Sequence, residues 1–261
     1  MSQHIVFKFL LGFGNRLCNL MNLFYIHDKY PNALIYINWI KNKHCDICIN
    51  DVFDMSKYKY IMPYETYCRT RNKASELWAT TSVNDRTRWD NIDEWGKHSC
   101  IVSVSFNLYS FVTPEYCIKM FNSLVFKEPI NTMVSHKITK HGFHQKYIHF
   151  RNGDLTKVLY ECESPEKVTQ LREKVSIFRN CVFEYNQICV DRDTTHMLHS
   201  ISDLIFLSKH SIIIGYCPYS HFSSWVFILS SSFINNVEKY PVFNYKVIDV
   251  VLLTDIADAG W

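Results

Sequence analysis

Arg151, Gly153 and Asp154 close a short apolar run, Tyr147-Ile148-His149-Phe150, and their types are those of an anion site. A guanidinium is a planar fork of five donors that matches two oxygens of a phosphate or diphosphate. In open α/β sheets, ligands bind beyond the carboxyl ends of the strands. An apolar strand that ends on arginine, glycine and aspartate therefore places charge at the edge of a cleft. Taken alone, the same hexapeptide also describes a strand leaving the core through an ordinary polar turn.

Two further segments fit the first. Gly12-Phe13-Gly14-Asn15-Arg16-Leu17 follows the apolar run Ile5 to Leu11. A strand, a glycine turn and a helix form the unit whose backbone N–H groups face an anion or a sugar. Leu17, Leu20, Met21 and Phe24 recur at helical spacing,. The pattern lacks a third glycine, and the next strand ends at Asn38-Trp39 without an acidic residue, which argues against dinucleotide binding,. The third segment reads helix, buried strand, polar loop, helix: Asp203 to His210, Ser211 to Gly215, then Ser220-His221-Phe222-Ser223-Ser224-Trp225. Ser220 and Ser223 either cap that last helix or hold phosphate oxygens at its N-terminus.

Together, GFGNRL, HFRNGD and DLIFLSKHSIIIGYCPYSHFSSW resemble the fucosyltransferase superfamily of GT-B glycosyltransferases. That group includes the α-1,2- and α-1,6-fucosyltransferases and the protein O-fucosyltransferases. The stretch Trp39…Cys45…Asp51-Val52-Phe53-Asp54 is similar to a pattern that follows the first helix in that group. The resemblance runs from residue 12 to about 230, in order. It departs at His221, where the family usually has Ser or Thr, and at Asn152, which replaces a common second arginine.

The resemblance implies an α/β fold of GT-B type: two Rossmann-like lobes with parallel sheets flanking a central cleft. It implies an inverting, metal-independent transfer of fucose from GDP-fucose to a glycan hydroxyl, with no cofactor beyond the donor. Arg151 is expected to clamp the diphosphate. Asp154 orients Arg151, contacts the donor or acts as a base. Gly14, Asn15, Arg16, His149, Asp203, Ser220, His221, Phe222 and Ser223 are expected on the donor. Asp203 is read either as a contact to the base or as a brace of the site, against a solvated helix position. The general base stays open among Asp154, Glu161 and, less favoured, His27. Two other readings keep the fold: a different donor such as UDP-xylose, motivated by His221 and Asn152, or an inactive sugar- or nucleotide-binding module.

Metal-dependent transferases hold Mg²⁺ or Mn²⁺ with closely spaced carboxylates. Asp191-Arg192-Asp193 has that spacing, but its position before Thr194-Thr195 favours helix capping, and no metal site is expected,. With 48% hydrophobic residues, 18 Phe and 16 Tyr, the chain reads as a folded globular protein,. A net charge of +3 without a basic block argues against nucleic acid as a partner,. Ten cysteines include only one C-x-x-C, Cys45 and Cys48, so free thiols are expected rather than zinc or disulfides,. No apolar stretch approaches the ~20 residues that span a bilayer. With no signal pattern at the start, the expected setting is a cytosol, that of a bacterium or of a host infected by a virus. Oligomeric state is left open.

Two lobes are expected, residues 1–135 on the acceptor side and 136–261 for the nucleotide sugar. Periodicity predicts strands at about 4–10, 33–39 and 100–106 and a helix from Asn15 to Asp28,. The stretch 62–98 reads as long loops or short helices, and Ser123 to His144, with Pro129, as the crossover. Beyond it, strands are expected at 146–151, 187–191, 211–215 and 246–252, with helices near 165–178, 195–209 and 221–232. Such βα alternation implies a parallel sheet flanked by helices.

Overall fold

The computed structural model describes residues 3–70, 77–80, 99–104, 108, 111–141, 146–150, 182–183, 193–209, 212–216, 222, 225 and 228–229. The chain divides into two compact units, Met1–Glu128 and Pro129–Trp261.

The first unit is built on a five-stranded, wholly parallel sheet. Its strands are β1 (His4–Phe9), β2 (Leu34–Trp39), β3 (Ile61–Pro63), β4 (Leu77–Thr80) and β5 (Cys100–Val104), in the order β3-β2-β1-β5-β4. Ile5, Val6 and Phe7 are fully buried. An apolar run without alternation is what a central parallel strand requires, because both of its faces are covered. One face carries Val6, Tyr36, Tyr67, Cys100 and Val102 beneath helix α3 (Tyr64–Thr70). Ile5, Phe7 and Phe9 alternate with these and point to the other face.

Helix α1 (Phe13–Lys29) follows β1 directly and buries all but a few of its residues, including the polar Arg16, Asn19 and Asn22. Two short helical turns, α2 (Ile49–Val52) and a 3₁₀ turn at Met55–Lys57, complete the connection to β3. Helix α4 (Pro114–Ser123) starts as the sequence dictates. Thr113 caps it by accepting from Tyr116 N at 3.3 Å, and Pro114 occupies the first turn, where its missing N–H costs nothing,.

The second unit holds helix α5 (Glu128–His141), β6 (Lys146–Phe150), β7 (Val182–Phe183), helix α6 (Thr194–Ser208) and β8 (Ile212–Tyr216). Its three strands are parallel in the order β7-β6-β8. Helical residues Phe222, Trp225 and Ile228 follow, with Trp225 and Ile228 buried.

Several expectations meet the structure at close register. The strands read at 4–10, 33–39, 100–106, 146–151 and 211–215 and the helices at Asn15–Asp28 and 195–209 are all present within a few residues. The crossover read at 123–144 contains the division between the two units, at Glu128/Pro129, and much of it forms one 14-residue helix, α5. Pro129 sits in its first turn, where proline starts a helix rather than breaking one. The boundary drawn at 135/136 lies inside that helix. The stretch 62–98 contains α3 and β4, and β3 straddles its start. The elements read at 165–178, 187–191 and 246–252 lie outside the described residues. So do Arg151, Asp154, Glu161, Asp191, Ser220, His221 and Ser223.

Candidate functional site

In the first sheet the strand order reverses at β1. The chain leaves it through α1 to β2 and β3 on one side, then crosses to the other edge at β4 and comes back beside β1 as β5. Crevices at such switch points, beyond the carboxyl ends of the strands, are where open α/β sheets take ligands. The G-x-G segment lies here. Gly12 is the residue before α1, with φ −63° and ψ 167°, a conformation open to any residue. As a glycine it has no side chain to cap the helix, and α1 has no acidic residue in its first turn. Gly14 is buried within that first turn rather than in the loop, and Asn15 beside it is half-buried. The glycine pattern thus marks close packing at the helix start, not a left-handed turn.

Side chains hold the carbonyls of this turn. Asn19 Nδ2 donates to Lys8 O at 2.9 Å, Asn42 Nδ2 donates to Leu10 O, and Arg16 Nε donates to Leu11 O at 2.7 Å. Arg16 Nη2 reaches the segment after β2 as well, donating to Ile40 O at 2.6 Å and, more weakly, to Cys45 O at 3.4 Å. The guanidinium carbon stands 4.9 Å from the Trp39 ring centroid, and Trp39 Nε1 donates to Ile47 O at 2.7 Å,. Arg16 is 1% exposed, and burial lowers its pKa from the ordinary value, opposed by the Cys45 thiol. Its Nη1 has no hydrogen-bond partner among the described residues. Arg16 was expected on the donor; its placed hydrogen bonds all go to backbone carbonyls.

The second unit has its own reversal at β6, which lies between β7 and β8. His149 pairs with Phe183 on one side and Gly215 on the other, and Phe150 with Tyr216. The strand of the H-x-R-x-G-D motif is therefore the central one, and its carboxyl end lies beside the end of β8. Arg151 is the next residue along the chain.

Asp203 sits on α6, about 14 Å along the axis from Thr194 at 1.5 Å per residue. It is 3% exposed, which removes the solvated reading. Oδ1 accepts from Lys137 Nζ of α5 at 2.5 Å, while Oδ2 is buried with no hydrogen-bond partner among the described residues. Burial raises its pKa to about 6, and the Lys137 charge and hydrogen bond oppose the rise,. His199, exposed one turn earlier, has its pKa lowered by partial desolvation and by the charges of Lys137 and His196. The geometry is that of a brace between two helices, α5 and α6.

Asp193 caps α6: its Oδ1 accepts from His196 N at 2.9 Å and lies 2.8 Å from His196 Nδ1. The N–H bonds lower its pKa, and capping is the role expected for it. No group of three or more potential metal ligands occurs among the described residues. His27, the weakest base candidate, sits about 21 Å down α1 from Phe13, in the last turn and stacked 3.5 Å from Tyr60,. That end of the helix faces away from the carboxyl edge of the sheet, so His27 is removed from the base candidates. Cys18, Cys45, Cys48, Cys68, Cys100 and Cys117 are free thiols. Among the described residues no helix is long and apolar enough to cross a membrane.

Sequence reasoning missed Asn42, Asn19 and Lys137. Asn42 had a local signal: its Oδ1 accepts from His44 N and Cys45 N, the turn an asparagine makes with its own backbone,. Its reach to Leu10 O, 32 residues away, had none.

Each unit is built on a parallel sheet whose strand order reverses, and the chain is an α/β protein of GT-B fold, shared with the solved structures named below. No family model and no curated protein matches the chain. Solved structures do. The fucosyltransferase NodZ from Bradyrhizobium is 12% identical, with a TM-score of 0.57 over 88% of this chain and 94% of that one. A point mutant of Arabidopsis thaliana FUT1 in complex with GDP is 10% identical, with a TM-score of 0.58 over 88% and 68% of the two chains. POFUT1 in complex with GDP-fucose is 12% identical, with a TM-score of 0.50 over 87% and 94%. Each is a protein this chain is similar to in fold.

Proposed function

We propose that the chain is an inverting, metal-independent glycosyltransferase that moves fucose from GDP-fucose to a glycan hydroxyl. The observation that carries this reading is the register of β6. The strand of the H-x-R-x-G-D motif is central in its sheet and ends at the reversal of strand order, in a fold shared with fucosyltransferases. Neighbouring structures hold GDP or GDP-fucose, and the same donor is assigned here.

In this mechanism the acceptor hydroxyl attacks the anomeric carbon and passes its proton to a carboxylate base, Asp154 or Glu161, while the bond to the diphosphate breaks and negative charge grows on the β-phosphate. Arg151 takes two of those oxygens, and preorganised donors do such work better than solvent. Asp154 orients Arg151. His149, Ser220, His221, Phe222 and Ser223 are assigned to the donor in the second unit, and Gly14 and Asn15 are assigned a binding role at the carboxyl edge of the first sheet. No metal is assigned, because Arg151 and helix N-termini neutralise the phosphates, and the setting is cytoplasmic.

Thermal stability titrated with GDP, UDP and their sugars tests the donor. A ligand at 100 times its Kd adds ~2.7 kcal/mol. GDP and GDP-fucose should raise the Tm where UDP does not. Stabilisation by UDP alone would remove the fucose assignment.

A further inference from the structure

The turn after β1 and the segment after β2 hold each other. From the turn side, Arg16 donates to Ile40 O and Cys45 O; from the opposite side, Asn42 donates to Leu10 O. Each segment supplies a side chain that captures the other's carbonyls, and neither tie is made by backbone alone. We propose that Arg16 is a positioning residue: with Asn42 it forms a reciprocal latch that fixes two chain segments at the carboxyl edge of the first sheet as one substrate-facing surface.

Burial decides against a direct donor ligand. The guanidinium is 1% exposed, its Nε and Nη2 are committed to three carbonyls, and its face lies over Trp39. A rigid planar fork can reach carbonyls of two segments from fixed directions, whereas an ammonium gathers its three donors at one point on a flexible stem. The Asn42 turn adds a second lock, since Asn42 N donates to Cys45 O and Cys45 N to Asn42 O.

The catalytic part of the test rests on the glycosyl-transfer reading; the structural part does not. The variants are Arg16→Lys, Asn42→Ala and the double variant, in the full chain. Amide exchange is read across the latch. Arg16→Lys should speed exchange at Asn42 and Cys45, and Asn42→Ala should speed it at Arg16 N, which donates to Gly12 O. In transfer assays kcat should fall by about 10²-fold, as misplacement does, with KM for the donor nearly unchanged. The double variant should be little worse than the worse single one, because both break one unit. Unchanged exchange across the latch, or a weakened affinity for GDP in Arg16→Lys alone, overturns the proposal. Should Arg16→Lys fail to fold, Asn42→Ala carries the same test with the charge intact. A wild-type chain that neither binds nor turns over GDP-fucose defeats the functional reading, while the exchange result still judges the latch.

Discussion

At the edge of the first sheet, amide and guanidinium groups tie the chain to backbone carbonyls, and none of these groups titrates near neutral pH,. In the second unit, α5 and α6 are joined by a carboxylate and an ammonium taken out of water. The first arrangement is insensitive to acidity. The second is conditional, because one of its members carries a pKa near 6. A fixed edge in one unit and a titratable brace in the other separate what pH can reach from what it cannot.

The sharpest way to break this comparison is at the second edge, through Arg151. Arg151→Lys keeps charge but loses the fork. It should cost about 3–4 kcal/mol of transition-state stabilisation, or roughly 10²–10³ in kcat, by analogy with removal of an oxyanion-hole donor. Parallel kcat and Tm measurements check it: near wild-type turnover would reduce Arg151 to diffuse electrostatics, and unfolding would make it structural.

Next comes the brace. Lys137→Met leaves the Asp203 carboxylate buried without its counter-charge, at a cost of about 3 kcal/mol in stability at pH 8. The sign follows from Asp203. Its folded pKa lies above the ordinary carboxylate value, so its contribution to stability is full below about pH 4 and lost as pH rises through about 6,. Without Lys137 the folded value rises further, so the variant's deficit should shrink at pH 5, where Asp203 is protonated. Urea melts at the two pH values measure this, and a deficit equal at both would refute the titrating brace.

The smallest effect sharpens the first edge. Gly14 lies in a helix, where alanine is favoured by about 1 kcal/mol on propensity alone. On the proposed donor role of Gly14, Gly14→Ala should nevertheless impair transfer, because it adds a Cβ to a buried first turn. A variant that is both more stable and fully active would make Gly14 a packing residue.

Legibility in the sequence follows the same physics. Long periodic or continuous apolar segments, such as β1, β2 and α1, were readable because burial on one or both faces dictates their pattern. The edge strands β3 and β4 were not: they run three and four residues, too short to show a period, and β3 ends on Pro63, which an edge tolerates,. The crossover was read without its helix α5, because Pro129 looks like punctuation until its position in the first turn is known. At the site, glycine, arginine and aspartate advertised chemistry by type. Their partners did not, since Lys137 for Asp203 and Asn42 for Leu10 are chosen by tertiary approach across 66 and 32 residues. Arg16 shows the cost of reading type alone, for a guanidinium beside a glycine turn describes a phosphate ligand and a buried latch equally well.

The most direct measurement is turnover of labelled GDP-fucose by the purified chain in excess EDTA. Labelled fucose should appear on a glycan or as free sugar at an undiminished rate, because the diphosphate charge is assigned to Arg151 and backbone donors. Activity abolished by EDTA and restored by Mn²⁺ would contradict the mechanism and return Asp191 and Asp193 to the list of ligands.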